Sequence, residues 1–315
     1  MNQVQMVPNY DERAEEPLYL LPKLPLMLLN GAEGIGTGFS SSIPSFGHSD
    51  IIKSMKNVIE KGKALRISPF VNHFTGDIDK DKETGKFIYS GKVVKEDKKY
   101  FITELPKGFD SRKTNKLLNK LMDEGFLSDS IDSTVDNDVR IELVFKRGQS
   151  PSIEEIENKL KLKVNFTPNY TLASEEGIVI FKSPEEIVRR FTNKRLTIVK
   201  RRIELLRDGA MARISKNNEI IRFIKEKRYA DAEKKKDRTE YVGFLGKKKF
   251  THSEYLADMP IYKMTKNEMD KRESLVKEDS VLLKGYNKIL KSEKLIKQEL
   301  INELDDLNTR LNKFI

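Results

Sequence analysis

The chain has 315 residues, 34% of them charged and 37% hydrophobic, and a formal net charge of +10, which leaves room for two or three domains with solvated or extended parts. It contains no cysteine, which excludes a disulfide scaffold and thiolate metal sites, and its three histidines (His48, His73, His252) lie too far apart in sequence to argue for a zinc centre. No apolar run approaches the roughly 20 residues of a membrane span, no basic-then-apolar secretory leader is present, and the excess of positive charge favours a polyanionic partner, nucleic acid or an acidic membrane surface. A soluble, cytoplasmic protein is expected.

Residues 1–15 are polar and read as a connector. The stretch Glu16–Phe46 is the most unusual in the chain. A dense apolar run, Leu18 to Leu29, is broken only by Pro22, Lys23 and Pro25, and then opens into Asn30-Gly31-Ala32-Glu33-Gly34-Ile35-Gly36-Thr37-Gly38. Four glycines in eight residues permit positive φ and let another molecule approach the main chain closely. Bare N–H groups and the hydroxyls of Thr37, Ser40 and Ser41 suit phosphate oxygens. Ile35 is isolated among these glycines, with no apolar neighbour within two residues. It is open to two readings: a loop isoleucine tucked into a small pocket, or an exposed wedge of the kind that enters between base pairs and kinks a duplex.

From Ser49 an amphipathic helix is predicted, with Ile51, Ile52, Met55, Val58 and Ile59 at three-four spacing. Ser49 or Asp50 is its expected cap and Gly62 its stop. Alternation predicts strands at Phe87-Ile88-Tyr89, Lys92-Val93-Val94 and Tyr100-Phe101-Ile102, with turns at Asp81–Gly85 and Glu96–Lys99. A helix follows over Thr114–Gly125, then a strand at Ile141–Phe145 and a short helix over Ser152–Leu160. The sum is an α+β domain. Asp129, Asp132, Asp136 and Asp138 lack the glycine turn and terminal glutamate of a calcium loop and read as a surface loop.

Ser183-Pro184-Glu185-Glu186 reads as a capping box with proline at the first helical position. Ile187, Phe191, Ile198, Ile203 and Leu206 form the apolar stripe of the helix it starts. Residues 182–240 hold 19 Lys/Arg against 10 Asp/Glu; the excess is either a solvated face or a surface that helps hold a duplex. Arg222–Lys249 is rich in Lys, and Gly243 and Gly246 read as turns. Leu283, Tyr286, Leu290, Ile296, Leu300, Leu304, Leu307, Leu311 and Phe314 form a second long stripe, suited to an arm returning antiparallel to the first as a coiled coil.

Asn30–Phe46, NGAEGIGTGFSSSIPSF, resembles the DNA-gate segment of type IIA DNA topoisomerases, especially the eukaryotic and large-virus form. Asn9-Tyr10-Asp11 resembles the family's NYD element. Phe74–Ile78 and Ile102–Pro106 resemble the FxGxI and ITELP elements of its tower domain, and Tyr255–Thr265 the YLLxMPLxxLT element near its carboxy-terminal dimer gate. The resemblance implies the carboxy-terminal part of a breakage–rejoining subunit, of phage medium-subunit type or the product of a split gene. It implies a gate segment over residues 1–62, a mixed α/β tower domain over 63–182, and an antiparallel coiled coil with a small helical dimer gate over 183–315. It also implies that Ile35 bends DNA while Lys23, Asn30, Gly34, Thr37, Ser40 and Ser41 contact it. The family's nucleophilic tyrosine follows an arginine well before NYD, so no catalytic residue is expected here and the chain alone should not cut DNA. Implied partners are duplex DNA, a second copy, an upstream winged-helix piece and a large subunit supplying ATPase and Mg²⁺-binding domains, with ATP and Mg²⁺ bound there. The rival reading is a non-enzymatic architectural DNA-binding protein that dimerises through its coiled coil.

Overall fold

The computed structural model describes residues 6–136, 138–174 and 177–313. Helix accounts for 49% and strand for 20%, so the class is mixed α+β. Two compact units are formed: one is Leu24–Phe191, and the other joins the residues up to Lys23 with those from Thr192 onward.

The chain opens with β1 (Met6–Pro8) and β2 (Glu15–Pro17), paired antiparallel. The expected connector is therefore a hairpin. Its loop is closed by Asn9, whose carboxamide oxygen accepts from the N–H groups of Arg13 (3.1 Å) and Ala14 (3.4 Å). Tyr10 sits fully exposed in this loop.

The unit from Leu24 begins with α1 (Leu26–Leu29), β3 (Ala32–Gly36), β4 (Phe39–Ile43) and α2 (His48–Lys61). The buried face of α2 is the predicted one, and Gly62 ends it at φ 73°. Its start differs from expectation: Gly47 occupies the N-cap, and neither Ser49 nor Asp50 caps it. Next come β5 (Asp77–Lys80), β6 (Phe87–Ser90), β7 (Lys92–Glu96), β8 (Lys99–Glu104), α3 (Ser111–Asp123), β9 (Asp129–Asp132), β10 (Ile141–Val144), α4 (Ile153–Lys159), β11 (Lys163–Phe166), β12 (Tyr170–Ser174) and β13 (Gly177–Phe181). Four of these strands form a sheet in the order β7-β8-β10-β9, and three more form β11-β6-β5. The turn between β7 and β8 puts Asp97 and Lys98 at φ 47° and 68°, the two left-handed residues that a tight hairpin turn requires. Ile102, Leu118, Leu121, Leu143 and Ile156 are buried together between the four-stranded sheet and helices α3 and α4. Helix α3 starts three residues before the predicted Thr114, because Asp110 caps it by accepting from the Lys113 N–H.

Helix α5 (Pro184–Lys225) is 42 residues long, about 63 Å at 1.5 Å per residue. The predicted box at its start is altered: the Glu186 carboxylate accepts from the Lys182 N–H, and Glu185 from Ile67. The buried stripe also differs from the predicted one. Ile187 and Ile203 of the predicted set are buried, but Leu206 is 42% exposed, and Val188, Thr192, Arg195, Val199 and Ala210 also face inward.

Beyond Thr192, α5 is joined by a short 3-10 turn (Arg228–Lys234), α6 (Arg238–Lys247), α7 (Ser253–Ala257), α8 (Lys266–Leu290) and α9 (Glu293–Leu311). Gly243 and Gly246 lie inside α6 rather than at turns, and the chain reverses at Lys227 and Lys249. Ile220, Phe223, Tyr241, Leu245, Phe250 and Leu256 form the core at this end. Ion pairs run Lys225–Glu273, Arg213–Asp279 and Arg195–Glu303, so the returning chain is antiparallel to α5. The predicted second stripe is interrupted at Lys291-Ser292 between α8 and α9. Ile296, Leu300 and Leu304 are buried, and Phe314 lies outside the described residues.

Glu303 ties α9 to α5 by accepting from both Arg195 (3.0 Å) and Arg202. Arg195 is buried, and desolvation lowers its pKa against the opposing pull of Glu303. Glu303→Ala strands that guanidinium, so chemical denaturation should show a loss of about 3 kcal/mol, more than for the paired replacement of Arg195 and Glu303 by leucine. At the other end, Glu219 accepts from the N–H groups of Thr251 and His252 and from both their side chains. Burial raises its pKa, but these hydrogen bonds prevail and hold it at about 2, against an ordinary 4.5. A depressed carboxylate stabilises the fold above its unfolded pKa and loses that contribution as pH falls. Glu219→Ala should therefore weaken the protein at neutral pH by on the order of 2 kcal/mol, and the gap to the parent should narrow in urea melts as pH drops from 4.5 toward 2.

Candidate nucleic-acid interface

The glycine-rich stretch forms a regular antiparallel hairpin, with Ile35 opposite Ser40 and Gly36 opposite Phe39. Thr37 and Gly38 make the turn, Gly38 at φ 81°. Each strand residue alternates in face, so Glu33, Ile35, Ser40 and Ser42 share one side, and Gly34, Gly36, Phe39 and Ser41 the other.

The tucked reading of Ile35 does not hold, because the side chain is 94% exposed. The hydrophobic effect opposes leaving a branched aliphatic group in water, and nothing in the hairpin offsets it. The glycines divide by role. A Cβ at Gly31 would meet the Ile43 carbonyl oxygen at 2.8 Å, and its φ is 73°, so this glycine is required for the hairpin to fold back on its own root. A Cβ at Gly34 would meet nothing within 4 Å. Gly34 leaves open space beside the backbone and is not needed for packing.

The hairpin is anchored along β4. Ser42 and Asn169 exchange backbone hydrogen bonds of 2.9 and 2.8 Å, and the Asn169 carboxamide donates to the Ser40 hydroxyl at 3.1 Å. The Ser41 hydroxyl donates to the Thr171 carbonyl. Ser41, expected to donate outward, thus directs its proton inward and holds the ribbon in place. Ser40 accepts from Asn169 and keeps its own proton for a donor role. Thr37 and Asn30 are exposed; Asn30 ends α1 through its backbone N–H. Lys23 is exposed and belongs to the other compact unit, so it is not part of this hairpin.

Two residues without a sequence signal join the site. Asn169 lies in an unremarkable Pro-Asn-Tyr run, and only the strand pairing shows its use. Lys107 follows the ITELP stretch and lines a cleft of about 310 Å³ at the hairpin's root with Asn30, Glu33, Ser42 and Ser45. Its ammonium lies over the Phe166 ring at 4.4 Å and near Tyr89 at 5.6 Å. Burial pushes the Tyr89 hydroxyl up to about 12, so it remains a neutral phenol.

The family model for the A-type subunit of DNA gyrase/topoisomerase IV matches residues 1–305. The chain belongs to this family. It corresponds to the breakage–rejoining region of type IIA topoisomerases. It is 32% identical to DNA topoisomerase 2 of Pisum sativum over 202 residues, which cover 60% of this chain and 14% of that protein. It is 30% identical to the mitochondrial DNA topoisomerase 2 of Dictyostelium discoideum over 226 residues, 69% of this chain and 17% of the relative. A putative mitochondrial DNA topoisomerase 2 of Caenorhabditis elegans is 26% identical over 289 residues, 82% and 24% respectively. The chain therefore spans about one-seventh of the length of the first of these relatives. Among the described residues no helix is long and apolar enough to cross a membrane, and no group of three or more His, Asp or Glu could hold a metal ion.

The contrast between the two hairpin glycines is testable without DNA. Gly31→Ala should lower stability by about 1–2 kcal/mol because it combines a backbone clash with a left-handed φ. Gly34→Ala should stay within about 0.5 kcal/mol of the parent. Equal losses in urea denaturation would contradict the assignment of roles.

Proposed function

We propose that this topoisomerase chain binds and bends the duplex that is cut, with Ile35 as the wedge. The observation that supports this most strongly is the 94% exposure of Ile35 on a hairpin anchored along β4. Inserted between base pairs, the side chain leaves water, a gain of about 1.5–3 kcal/mol for a residue of this size. That gain, with the added backbone contact of a bent duplex, offsets an unstacking step of a few kcal/mol. Ser40, Thr37 and Asn30 are assigned to phosphate oxygens, with Lys23 as a further cation and Gly34 giving the backbone close access. Glu33 shares the face of Ile35 and repels phosphate, which points that face at the base stack rather than at the backbone. Ser41 is assigned to the hairpin's anchorage, acting on DNA only through position.

In this reading the chain presents strained DNA to a tyrosine carried elsewhere, on an upstream winged-helix piece. Tyr10 is assigned to the amino-terminal hairpin loop. A partner large subunit binds ATP and Mg²⁺, as in a phage-type split enzyme acting in the cytoplasm, and the chain alone is inactive. We assign residues 1–62 to the gate segment, 63–182 to the tower, and 183–315 to an antiparallel coiled coil with a dimer gate that pairs two copies. The ion pairs between α5, α8 and α9 support the antiparallel arrangement.

The test is Ile35→Ala with an end-labelled duplex. Bending read by FRET should fall sharply, while low-salt affinity, set by phosphate contacts, should change by less than about threefold. Undiminished bending would reject the wedge.

A further inference from the structure

The helices at the end of α5 carry charge that the fold does not use. Residues 225–249 hold ten Lys/Arg and five Asp/Glu, half of the net charge of the whole chain. Most of the nearby carboxylates are engaged: Glu226 and Asp231 by Arg228, Glu240 by Lys235, Glu273 by Lys225, and Asp237 as the cap of α6, which leaves Glu233 as the one exposed acid of this stretch with neither an ion pair nor a capping role among the described residues. Lys227, Lys236, Lys247, Lys248 and Lys249 are exposed and have no ion-pair partner among the described residues.

Several of these positions are unfavourable locally. Lys234–Lys236 stand just ahead of Asp237, the N-cap of α6, where the helix macrodipole disfavours cations. Lys227 and Lys249 take φ of 51° and 62°, a left-handed conformation better suited to glycine. Only the Lys247–Lys249 triplet gains from its position, at a helix C-terminus. Yet one lysine of each triplet is held against the same ring. Lys235 lies 4.7 Å and Lys248 5.9 Å from the centre of the Phe244 ring, so lysines from either end of α6 meet at one aromatic. Arg222, stacked on Phe250 at 3.8 Å, donates to the Lys248 and Lys249 carbonyls at 3.2 and 3.1 Å.

A group of exposed ammonium ions that outnumbers the carboxylates around it matches a partner with regularly spaced negative charge. Lysine contacts phosphate as a point charge and reads no sequence. We infer that the surface formed by Lys227, Lys236 and Lys247–Lys249 is a second duplex-DNA-binding site, separate from the Ile35 hairpin. It rests on the DNA-handling role proposed above but not on the wedge.

The experiment uses the full chain and a duplex of about 30 base pairs, with affinity read by fluorescence anisotropy between about 50 and 200 mM salt. One variant carries Lys→Gln at 227, 236, 247, 248 and 249. A charge-matched comparator carries Lys→Gln at 271, 277, 284, 288 and 294, on the helices α8 and α9. The first should make the slope of log affinity against log salt shallower by about 3 and weaken binding at least about tenfold at intermediate salt. The comparator should stay within about twofold. Equal loss in both variants, or no loss in the first, overturns the inference, as does poly-glutamate displacing DNA from the parent at equal charge concentration, which would assign the surface to an acidic protein segment. Because the chain has no cysteine, a photo-crosslinker on Lys248→Cys gives a second readout if the fivefold variant misfolds. DNA adducts are expected there and not on Ser274→Cys; the reverse refutes the site. Ile35→Ala measured in parallel should keep the parental salt slope, so failure of the wedge and failure of this surface are distinguishable.

Discussion

A branched aliphatic side chain held in water is the constraint on which the rest of the hairpin's reading depends. Ile35 cannot be buried by its own hairpin, because its strand neighbours are glycines and its cross-strand partner is a serine. The energy of exposing it is recovered only when another surface covers it. The same glycines that withhold intramolecular contact leave room for that surface. Exposure and accessibility are thus two results of one local sequence.

The proposed wedge transmits force only if its base is stiff. The hairpin's root is fixed by the close approach of Gly31 to the Ile43 carbonyl and by the Ser41–Thr171 and Ser40–Asn169 hydrogen bonds. Hydroxyls in a glycine-rich segment therefore divide between those that hold the ribbon and those that face outward. The unit that holds α8 and α9 uses a comparable logic with charge: Glu303 and Glu219 are consumed in joining helices, while the lysines beyond α5 are left over.

Much of this is legible in the sequence because it depends on local rules. The face of α2, the Gly62 stop, the hairpin turns at Asp81–Gly85 and Glu96–Lys99, and the singular position of Ile35 all follow from periodicity and turn chemistry. What is not legible depends on partners distant in sequence. Ser41 looks like any outward hydroxyl until Thr171, 130 residues away, is placed beside it. Arg195 looks like a solvent-facing residue until Glu303 accounts for its burial, and with it the real stripe of α5. Composition alone marks Gly243 and Gly246 as turns, whereas the Asp237 cap and the buried Tyr241 and Leu245 draw them into a helix. Asn169 and Lys107 carry no local signature at all.

The central claim is that Ile35 separates stacked bases, and base stacking can be observed directly. A set of duplexes carrying 2-aminopurine at successive positions, each saturated with the chain at low salt, reports unstacking as a rise in fluorescence. One step should brighten with the parent and stay dark with Ile35→Ala at equal saturation. Uniformly quenched fluorescence at every position with the parent bound, or the same bright step in both proteins, would contradict it.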